Sequence, residues 1–293
     1  MSHVETEIAS QPACWRKAIE VAATKPAGLP APGERVAVIG CGTSLFMAQA
    51  YAVLRETAGQ GETDAFPASE FPTGRRYDRV VALTRSGTTT EVLTALSTVD
   101  PSIPTVAITA DPTTPVMQAA QDVVVLDFAD EQSVVQTRFA TTALLLLRAH
   151  LGVDVTALVD HAATAVAEAL PAGATERTQF TFLGTGWSIG IANEAALKLR
   201  EASCSWAESY PAMEFRHGPV SITDERSLVW IFGEPPVGMV DDLLSTGALV
   251  VTGNGLDPAA ELVRAQRLAV ALATARGLNP DEPRNLTRSV ILP

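Results

Sequence analysis

The stretch Val36-Ala-Val-Ile-Gly-Cys-Gly-Thr-Ser44 decides the fold, because a short apolar run passes into a glycine-rich turn and then into a helical pattern that ends near Glu56. The same order recurs at Thr181-Phe-Leu-Gly-Thr-Gly-Trp-Ser188, where the helical pattern ends near Glu201. The sequence therefore predicts two copies of one unit. Further apolar runs correspond between the halves: 80–84 with 228–232, and 105–109 with 248–252.

Alternation of short apolar runs with helical patterns identifies the fold class. Such alternation is typical of βαβ units and of a parallel sheet with helices on both faces. We predict an α/β fold of two doubly wound parallel-sheet units that arose by internal duplication, with residues 1–172 as the first unit and 173–293 as the second. The predicted strands of the first half lie at 36–39, 80–84, 105–109 and 123–126, and helices are predicted at 137–151, 155–170 and 258–276.

Composition and charge exclude several functions. The chain has 293 residues, of which 47% are hydrophobic and 18% charged, as in a folded globular protein. Its net charge of -12 argues against nucleic acid as a partner, because binding the phosphate backbone requires a basic surface. The three cysteines lack metal-ligand spacing, and neither a signal peptide nor a membrane span is recognisable. We therefore predict a cytoplasmic protein.

Two loops are candidates for binding an anion. Gly42, Thr43 and Ser44 stand where a strand passes into a helix, and the run from Ser86 to Thr90 repeats this arrangement after the next strand. Glycines admit a ligand to the backbone, and helix N-termini attract negative charge, so one phosphate is predicted between these loops. The alternative is that the hydroxyls only cap two helices.

A nucleotide is a weaker prediction for the same loops. The first loop lacks the third glycine of the dinucleotide fingerprint, and the Gly-Lys-Ser/Thr signature of phosphate-binding NTPase loops is absent from the sequence. Arg85 follows the second strand where an acid would contact a ribose. A dinucleotide with a 2′-phosphate, which Arg85 would contact, remains an alternative.

A helix in the second half carries the candidate acid and base groups. Glu194, Lys198 and Glu201 are spaced four and three residues apart, which places them on one helix face. Their alternative role is that of a solvated charged face. His217 precedes Gly218-Pro219, a rigid turn that fixes the direction of its imidazole, whereas the other histidines have no comparable surroundings.

These motifs together resemble the sugar isomerase (SIS) family, in particular the isomerase half of glucosamine-6-phosphate synthase and its stand-alone isomerase and deaminase relatives. The similarity extends over nearly the whole chain. The motifs that carry it are Glu7-Ile8, Cys41-Gly-Thr-Ser44, Arg85-Ser-Gly-Thr-Thr89, Ser133-Val134, Glu194-Ala-Ala-Leu-Lys-Leu-Arg-Glu201, His217-Gly-Pro219 and Pro283-Arg-Asn-Leu286.

The resemblance implies roles for individual residues. It implies that Glu201 is the base that moves a proton between sugar carbons, with the catalytic Lys198 beside it, and that His217 assists ring opening from the neighbouring subunit of a homodimer. Neither a metal nor an organic cofactor is expected. The predicted substrate-binding residues are Gly42, Thr43, Ser44, Thr84, Arg85, Ser86, Thr89, Val134 and Arg288.

Departures from the family pattern narrow the predicted reaction. The chain begins at the isomerase part, so we expect no built-in ammonia source. Arg288 stands where the synthase has an imine-forming lysine, and a guanidinium stays protonated and forms no imine. Arg85 replaces a glutamine of the synthase, which favours a more strongly held anion or a different sugar.

We therefore predict a phosphosugar isomerase that acts on a sugar or amino-sugar 6-phosphate by proton transfer between C1 and C2. One alternative is a glucosamine-6-phosphate deaminase or a sugar-amine 6-phosphate deglycase. An alternative of another class is a non-catalytic phosphosugar-binding sensor. The predicted partners are a small sugar phosphate and a second copy of the chain, with no nucleic acid and no membrane.

Overall fold

The computed structural model describes residues 2–292, and within them the strands form one five-stranded and one four-stranded parallel sheet. The first sheet has the order β2-β1-β3-β4-β5. Its strands are β1 (Val36–Gly40), β2 (Thr63–Pro67), β3 (Arg79–Leu83), β4 (Thr105–Thr109) and β5 (Asp122–Val125).

The second sheet has the order β7-β6-β8-β9, so its four strands are arranged like the first four strands of the first sheet. Both sheets are parallel throughout, as the alternating pattern predicts. The prediction of an α/β fold is confirmed. The strands are β6 (Gln179–Gly184), β7 (Ala207–Pro211), β8 (Ser227–Phe232) and β9 (Leu249–Thr252).

Helices connect the strands and precede each sheet. Within residues 2–292, no helix combines the length and the apolar character that a membrane span requires. The helices are α1 (His3–Ala9), α2 (Gln11–Ala23), α3 (Thr43–Thr57), α4 (Thr90–Thr98), α5 (Val116–Ala119), α6 (Arg138–His150), α7 (Thr156–Ala167), α8 (Ser188–Ser203), α9 (Ala212–Phe215), α10 (Met239–Leu244) and α11 (Pro258–Ala275).

The described residues divide into two compact units. The five-stranded unit comprises residues 10–131, 138–159 and 287–292. The four-stranded unit comprises residues 2–9, 132–137 and 160–286. Each unit is thus discontinuous along the chain, whereas the predicted boundary between residues 172 and 173 divides the repeats in the sequence. That boundary stays a prediction.

The core of the five-stranded unit covers both faces of its sheet. On one face, Ala37 and Ile39 of β1 pack with Val92 and Leu96 of α4 and with Val116 of α5. Alternate strand residues point to the opposite face, and there α3 packs against β1, β2 and α6. Burial on both faces explains why the strands are continuously apolar.

The four-stranded unit is built in the same way. Leu183 and Ile231 pack with Phe215 of α9 and Met239 of α10 on one face. Helix α8 packs against β6, β7 and α11. Three strand aromatics stack with ring centroids 6.1 to 6.4 Å apart and fill the core with large apolar surfaces. They are Phe182, Trp230 and Phe232.

The sequence patterns predict the other seven described strands and the helices α3, α6, α7, α8 and α11, but they miss the helices α1 and α2 and the strands β2 and β7. Both missed strands lie at the edge of their sheet and end in proline. Most of their residues are partly exposed, so neither forms a continuous apolar run. Proline is tolerated at an edge because that strand need not donate on its outer side. Met1 and Pro293, at the ends of the predicted units, lie outside the described residues.

Arg55 of α3 ties the edge strand β2 to the loop before β1. Its side chain is fully buried and donates to the backbone oxygens of Ala31 (2.7 Å), Glu34 (2.9 Å) and Gly61 (3.1 Å), and to the Thr63 hydroxyl (2.8 Å). One guanidinium therefore supplies hydrogen-bond donors to two connecting segments and to the first residue of β2.

We expect Arg55→Met to lower the free energy of unfolding by about 3 kcal/mol or more, because four hydrogen bonds from a buried side chain are lost. Urea unfolding followed by circular dichroism measures the change. Arg16→Met is the matched control, since Arg16 is exposed on α2 and its removal leaves the core intact. Equal losses in the two variants would contradict this role of Arg55.

Candidate functional site

The order of the first sheet creates a place for a ligand. Strand β1 lies between β2 and β3, and the chain leaves β1 through α3 towards β2 but leaves β3 through α4 towards β4. The two connections run in opposite directions, which opens a crevice beyond the carboxyl ends of β1 and β3. The loops predicted to bind an anion are the two loops that follow these strands.

The loop after β1 brings a helix N-terminus close to the strand end. Gly42 has a positive φ of 53° and precedes the first turn of α3, and Thr43 and Ser44 are buried in that turn. A Cβ at Gly40 would lie 2.8 Å from the backbone carbon of Ser44, so only glycine permits this approach. The exposed end of the helix dipole favours an anion here.

The loop after β3 is shaped by its own hydroxyls. Thr84 Oγ1 accepts from the Gly87 N–H at 3.3 Å, and Ser86 Oγ accepts from the Thr88 N–H at 3.3 Å. The Ser86 and Thr89 hydroxyls lie 3.4 Å apart, immediately before α4. Ser86 and Thr89 are thus brought together, as a shared ligand would require.

Gly87 fixes the bend of this loop, which we call the anion loop (residues 84–89). Its φ is +62°, a conformation that residues with a side chain rarely adopt. A Cβ at this position would lie 2.0 Å from Thr114 Oγ1 and 2.8 Å from Val116 Cγ1. The bend and the close packing therefore both require glycine.

Arg85 lies in the anion loop, but its charge is already compensated. Its side chain is buried and forms an ion pair with Glu131 at 3.3 Å, and its Nη2 donates to the backbone oxygen of Arg288 at 3.0 Å. The Arg288 side chain in turn pairs with Asp130. Sequence reasoning missed Glu131, because nothing in the sequence indicates which arginine a distant acid will meet. Direct contact of either arginine with a substrate stays a prediction.

Val134 belongs to a short segment of the four-stranded unit that is held from both sides. Its N–H donates to the backbone oxygen of Asp281 at 3.0 Å. The buried Glu7 carboxylate accepts from the N–H groups of Gln132 (2.5 Å) and Ser133 (3.3 Å) and from the Ser133 hydroxyl. Glu7 therefore fixes the backbone that presents Val134. Only the resemblance at Glu7-Ile8 pointed to this residue.

Helix α8 collects three charged side chains on one face. Lys198 Nζ lies 3.3 Å from Glu194 Oε1 and 2.5 Å from Glu201 Oε2. The side chains of Lys198 and Glu194 are 1% and 0% exposed, whereas that of Glu201 is 19% exposed. The solvated-face alternative is therefore wrong for Glu194 and Lys198. The buried Lys198 amine thus contacts two carboxylates, and of the three side chains only that of Glu201 is accessible to solvent.

His217 lies apart from that cluster in the sequence and is exposed. It stands after α9, where its N–H donates to the Glu214 backbone oxygen at 3.0 Å, and Gly218 follows with a φ of +134°. Its predicted role in a neighbouring subunit stays a prediction. Among the side chains described here, no group of three or more His, Cys, Asp or Glu residues is arranged to hold a metal ion.

Two of the proteins most similar to this chain are enzymes named for sugar 6-phosphates. The isomerizing glutamine–fructose-6-phosphate aminotransferase of Methanothermobacter thermautotrophicus is 27% identical over 303 aligned residues, which cover 88% of this chain and 51% of the relative. The crystal structure of glucosamine-6-phosphate deaminase from Thermotoga maritima is 26% identical with a TM-score of 0.82, and the match covers 99% of this chain and 100% of that one. The resemblance to the sugar isomerase family is confirmed.

Other comparisons mark the limits of that resemblance. The crystal structure of tagatose-6-phosphate ketose/aldose isomerase from Escherichia coli has a TM-score of 0.81 over 100% of this chain and 96% of its own, but at 20% identity it shows the fold alone. The chain spans about half the length of the isomerizing aminotransferase relatives that it matches. No protein-family model matches this chain.

We expect Gly87→Ala to weaken the binding of inorganic phosphate at least about 10-fold, because an added Cβ at a positive φ distorts the anion loop. Isothermal titration calorimetry measures the affinity. Gly74→Ala is the matched control, since a Cβ there meets no atom within 4 Å. Unchanged phosphate affinity in Gly87→Ala would show that this loop does not bind the anion.

A crystal grown with sulfate should show an anion beside Ser44, Ser86 and Thr89, because these hydroxyls flank the N-termini of α3 and α4. Anomalous diffraction from the sulfur checks its position. An anion found only at other places would contradict the proposed site.

Proposed function

We propose that this chain is a phosphosugar isomerase that moves a proton between C1 and C2 of an open-chain sugar or amino-sugar 6-phosphate, without a metal or an organic cofactor. The observation that carries this proposal is the buried cluster on α8, in which Lys198 holds a partly exposed carboxylate at 2.5 Å. The relatives named as an isomerizing aminotransferase and as a deaminase of sugar phosphates support the same class of reaction.

The phosphate of the substrate would bind to Ser44, Ser86 and Thr89 and to the backbone of their loops. Two helix N-termini and several hydroxyls supply hydrogen-bond donors to its oxygens, so binding does not depend on a free basic side chain. The phosphate is remote from the reacting carbons. Its binding energy therefore positions the open-chain sugar without taking part in the chemistry.

Glu201 would act as the base. In an aldose it removes the proton from C2, the C–H electron pair forms the C1–C2 double bond, and the carbonyl oxygen becomes an enediolate oxygen or, once protonated, an enediol hydroxyl. Return of the proton to C1, with loss of a proton from the C2 hydroxyl, gives the ketose. Lys198 beside Glu201 supplies a fixed positive charge that would stabilise the negative charge developing on the sugar. Glu194 compensates the Lys198 amine within the helix.

A deaminase or deglycase is the second candidate, and the similarity to the Thermotoga maritima deaminase favours it. If C2 carries an amine, the same proton transfer gives an enolamine and then a C2 imine. Water adds to that imine and ammonia leaves, so the product is a ketose. The two reactions therefore differ in the substrate and in the fate of the amine, while the proposed base is the same.

A non-catalytic sensor would keep the anion loops but need no base. The retained Glu201 favours an enzyme over this third candidate, and so does its contact with a buried amine. We also propose that the two sheets arose by duplication, since both follow one strand order. A homodimer in which His217 serves the neighbouring subunit belongs to the same proposal.

Incubation with a panel of sugar and amino-sugar 6-phosphates tests the proposal. Ketose formation and ammonia release are measured in parallel, so that an isomerase and a deaminase give different patterns. A protein that binds these compounds in calorimetry but converts none of them would be a sensor.

We expect Glu201→Gln to reduce kcat about 10²-fold or more, with the affinity for sugar phosphate nearly unchanged, because glutamine keeps the shape but cannot take a proton. Steady-state kinetics with the best substrate of the panel provide the measurement. Glu176→Gln is the matched control, since Glu176 is exposed in the same unit. A kcat like that of the unchanged protein would remove Glu201 from the mechanism.

A further inference from the structure

Glu131 is a fully buried carboxylate beside the anion loop, and the proposed reaction gives it no role. Its side chain is 0% exposed, and Oε2 lies 3.3 Å from Nη1 of Arg85. Its other oxygen, Oε1, accepts from the Arg138 N–H at 2.7 Å, at the start of α6. Both oxygens are thus in use, one of them by the charge that the anion loop carries.

The same residue contacts the C-terminal segment, which we define as residues 287–292. The Arg288 guanidinium donates to the Glu131 backbone oxygen and to the Asp130 carboxylate. The Arg288 backbone oxygen accepts from Arg85 at 3.0 Å. Arg85 and Arg288 are therefore both held at Glu131, through its carboxylate and its carbonyl respectively.

The C-terminal segment then follows the anion loop into α4. The hydroxyls of Ser289 and Thr88 lie 2.9 Å apart. The Thr90 N–H, at the start of α4, donates to the Val290 backbone oxygen at 3.1 Å, and the Leu292 N–H donates to Thr90 Oγ1 at 2.9 Å. The order of this segment and the shape of the anion loop are connected by these bonds.

We propose that Glu131 is a positioning residue that couples the anion loop to the C-terminal segment through Arg85. A buried guanidinium that loses the carboxylate paired with it is destabilised where it lies, and its movement towards water would break its bond to the Arg288 carbonyl. Binding of an anion at the loop and ordering of the segment would then assist each other, since coupling between two sites is reciprocal. This inference rests on the proposed function for the identity of the anion.

Hydrogen exchange of the C-terminal segment tests the coupling without any turnover. In Glu131→Gln we expect the amides of Thr90 and Leu292 to exchange at least about 10-fold faster, because their acceptors are released when the segment opens. The glutamine keeps an oxygen for the Arg138 N–H, so α6 retains its first bond. Asp127→Asn is the matched control, because Asp127 is exposed on the neighbouring 3₁₀ turn and the charge change is the same.

The double variant Arg85→Gln with Glu131→Gln separates positioning from general damage. Each single change breaks the same Arg85 link to the Arg288 carbonyl, so we expect exchange in the double variant to stay within about twofold of that in Glu131→Gln alone. Inorganic phosphate should slow exchange at Leu292 in the unchanged protein and have less effect in Glu131→Gln. With the best substrate of the panel, we expect Glu131→Gln to have a KM at least about fivefold above that of the unchanged protein and a kcat within about twofold of it.

Two results would overturn the inference. One is unchanged exchange at Thr90 and Leu292 in Glu131→Gln. The other is a double variant that exchanges faster than either single variant, which would mean that Arg85 and Glu131 act independently. Failure of the proposed function gives a different pattern, in which the unchanged protein converts none of the sugar phosphates while the exchange results still support the coupling.

Discussion

Both sheets depend on the close approach of a helix to the end of the strand before it. Gly40 and Gly184 end the first strand of their sheets, and an added Cβ would lie 2.8 Å from the Ser44 backbone at one and 2.3 Å from the Ser188 backbone at the other. Absence of a side chain at these points lets α3 and α8 start directly above the sheets. The position of each helix N-terminus, and of everything that its first turn can bind, follows from this approach.

The same junction is used differently in the two units. Ser188 at the start of α8 donates to the Phe232 backbone oxygen at 2.9 Å and accepts from the Thr185 N–H at 2.8 Å, so its hydroxyl joins β8 to the turn. The hydroxyl at the second junction is therefore used for hydrogen bonds within its own unit. In the five-stranded unit, two successive loops with glycines and hydroxyls lie beside each other, which is the arrangement that suits an anion. The charged groups proposed for the chemistry, the acids and the amine of α8, belong instead to the four-stranded unit.

The sequence predicts those features that depend on residues close together in the chain. The apolar runs of β1, β3 and β8, the helix spacing of Glu194, Lys198 and Glu201, and the glycine-rich turns depend on neighbours in the sequence, and the structure contains each of them. Two kinds of feature lay beyond this reasoning. The edge strands β2 and β7 gain order from one neighbouring strand without a continuous apolar run of their own. The pairs of Arg85 with Glu131 and of Glu7 with Ser133 join residues 46 and 126 positions apart. Their partners become evident only once the chain is folded.

The bend at Gly87 has an evolutionary consequence. The backbone at Gly87 is left-handed, and an added Cβ would lie 2.0 Å from Thr114 Oγ1. Both features select glycine over every other residue type. Thr88 and Thr89, which follow it, face a weaker restriction, because serine and threonine replace each other at small cost where the loop is only half-buried. Such a loop can drift in the groups that it offers to a ligand while its path stays constant. A change of ligand preference within a lineage would therefore leave this glycine in place and appear in the side chains that follow it.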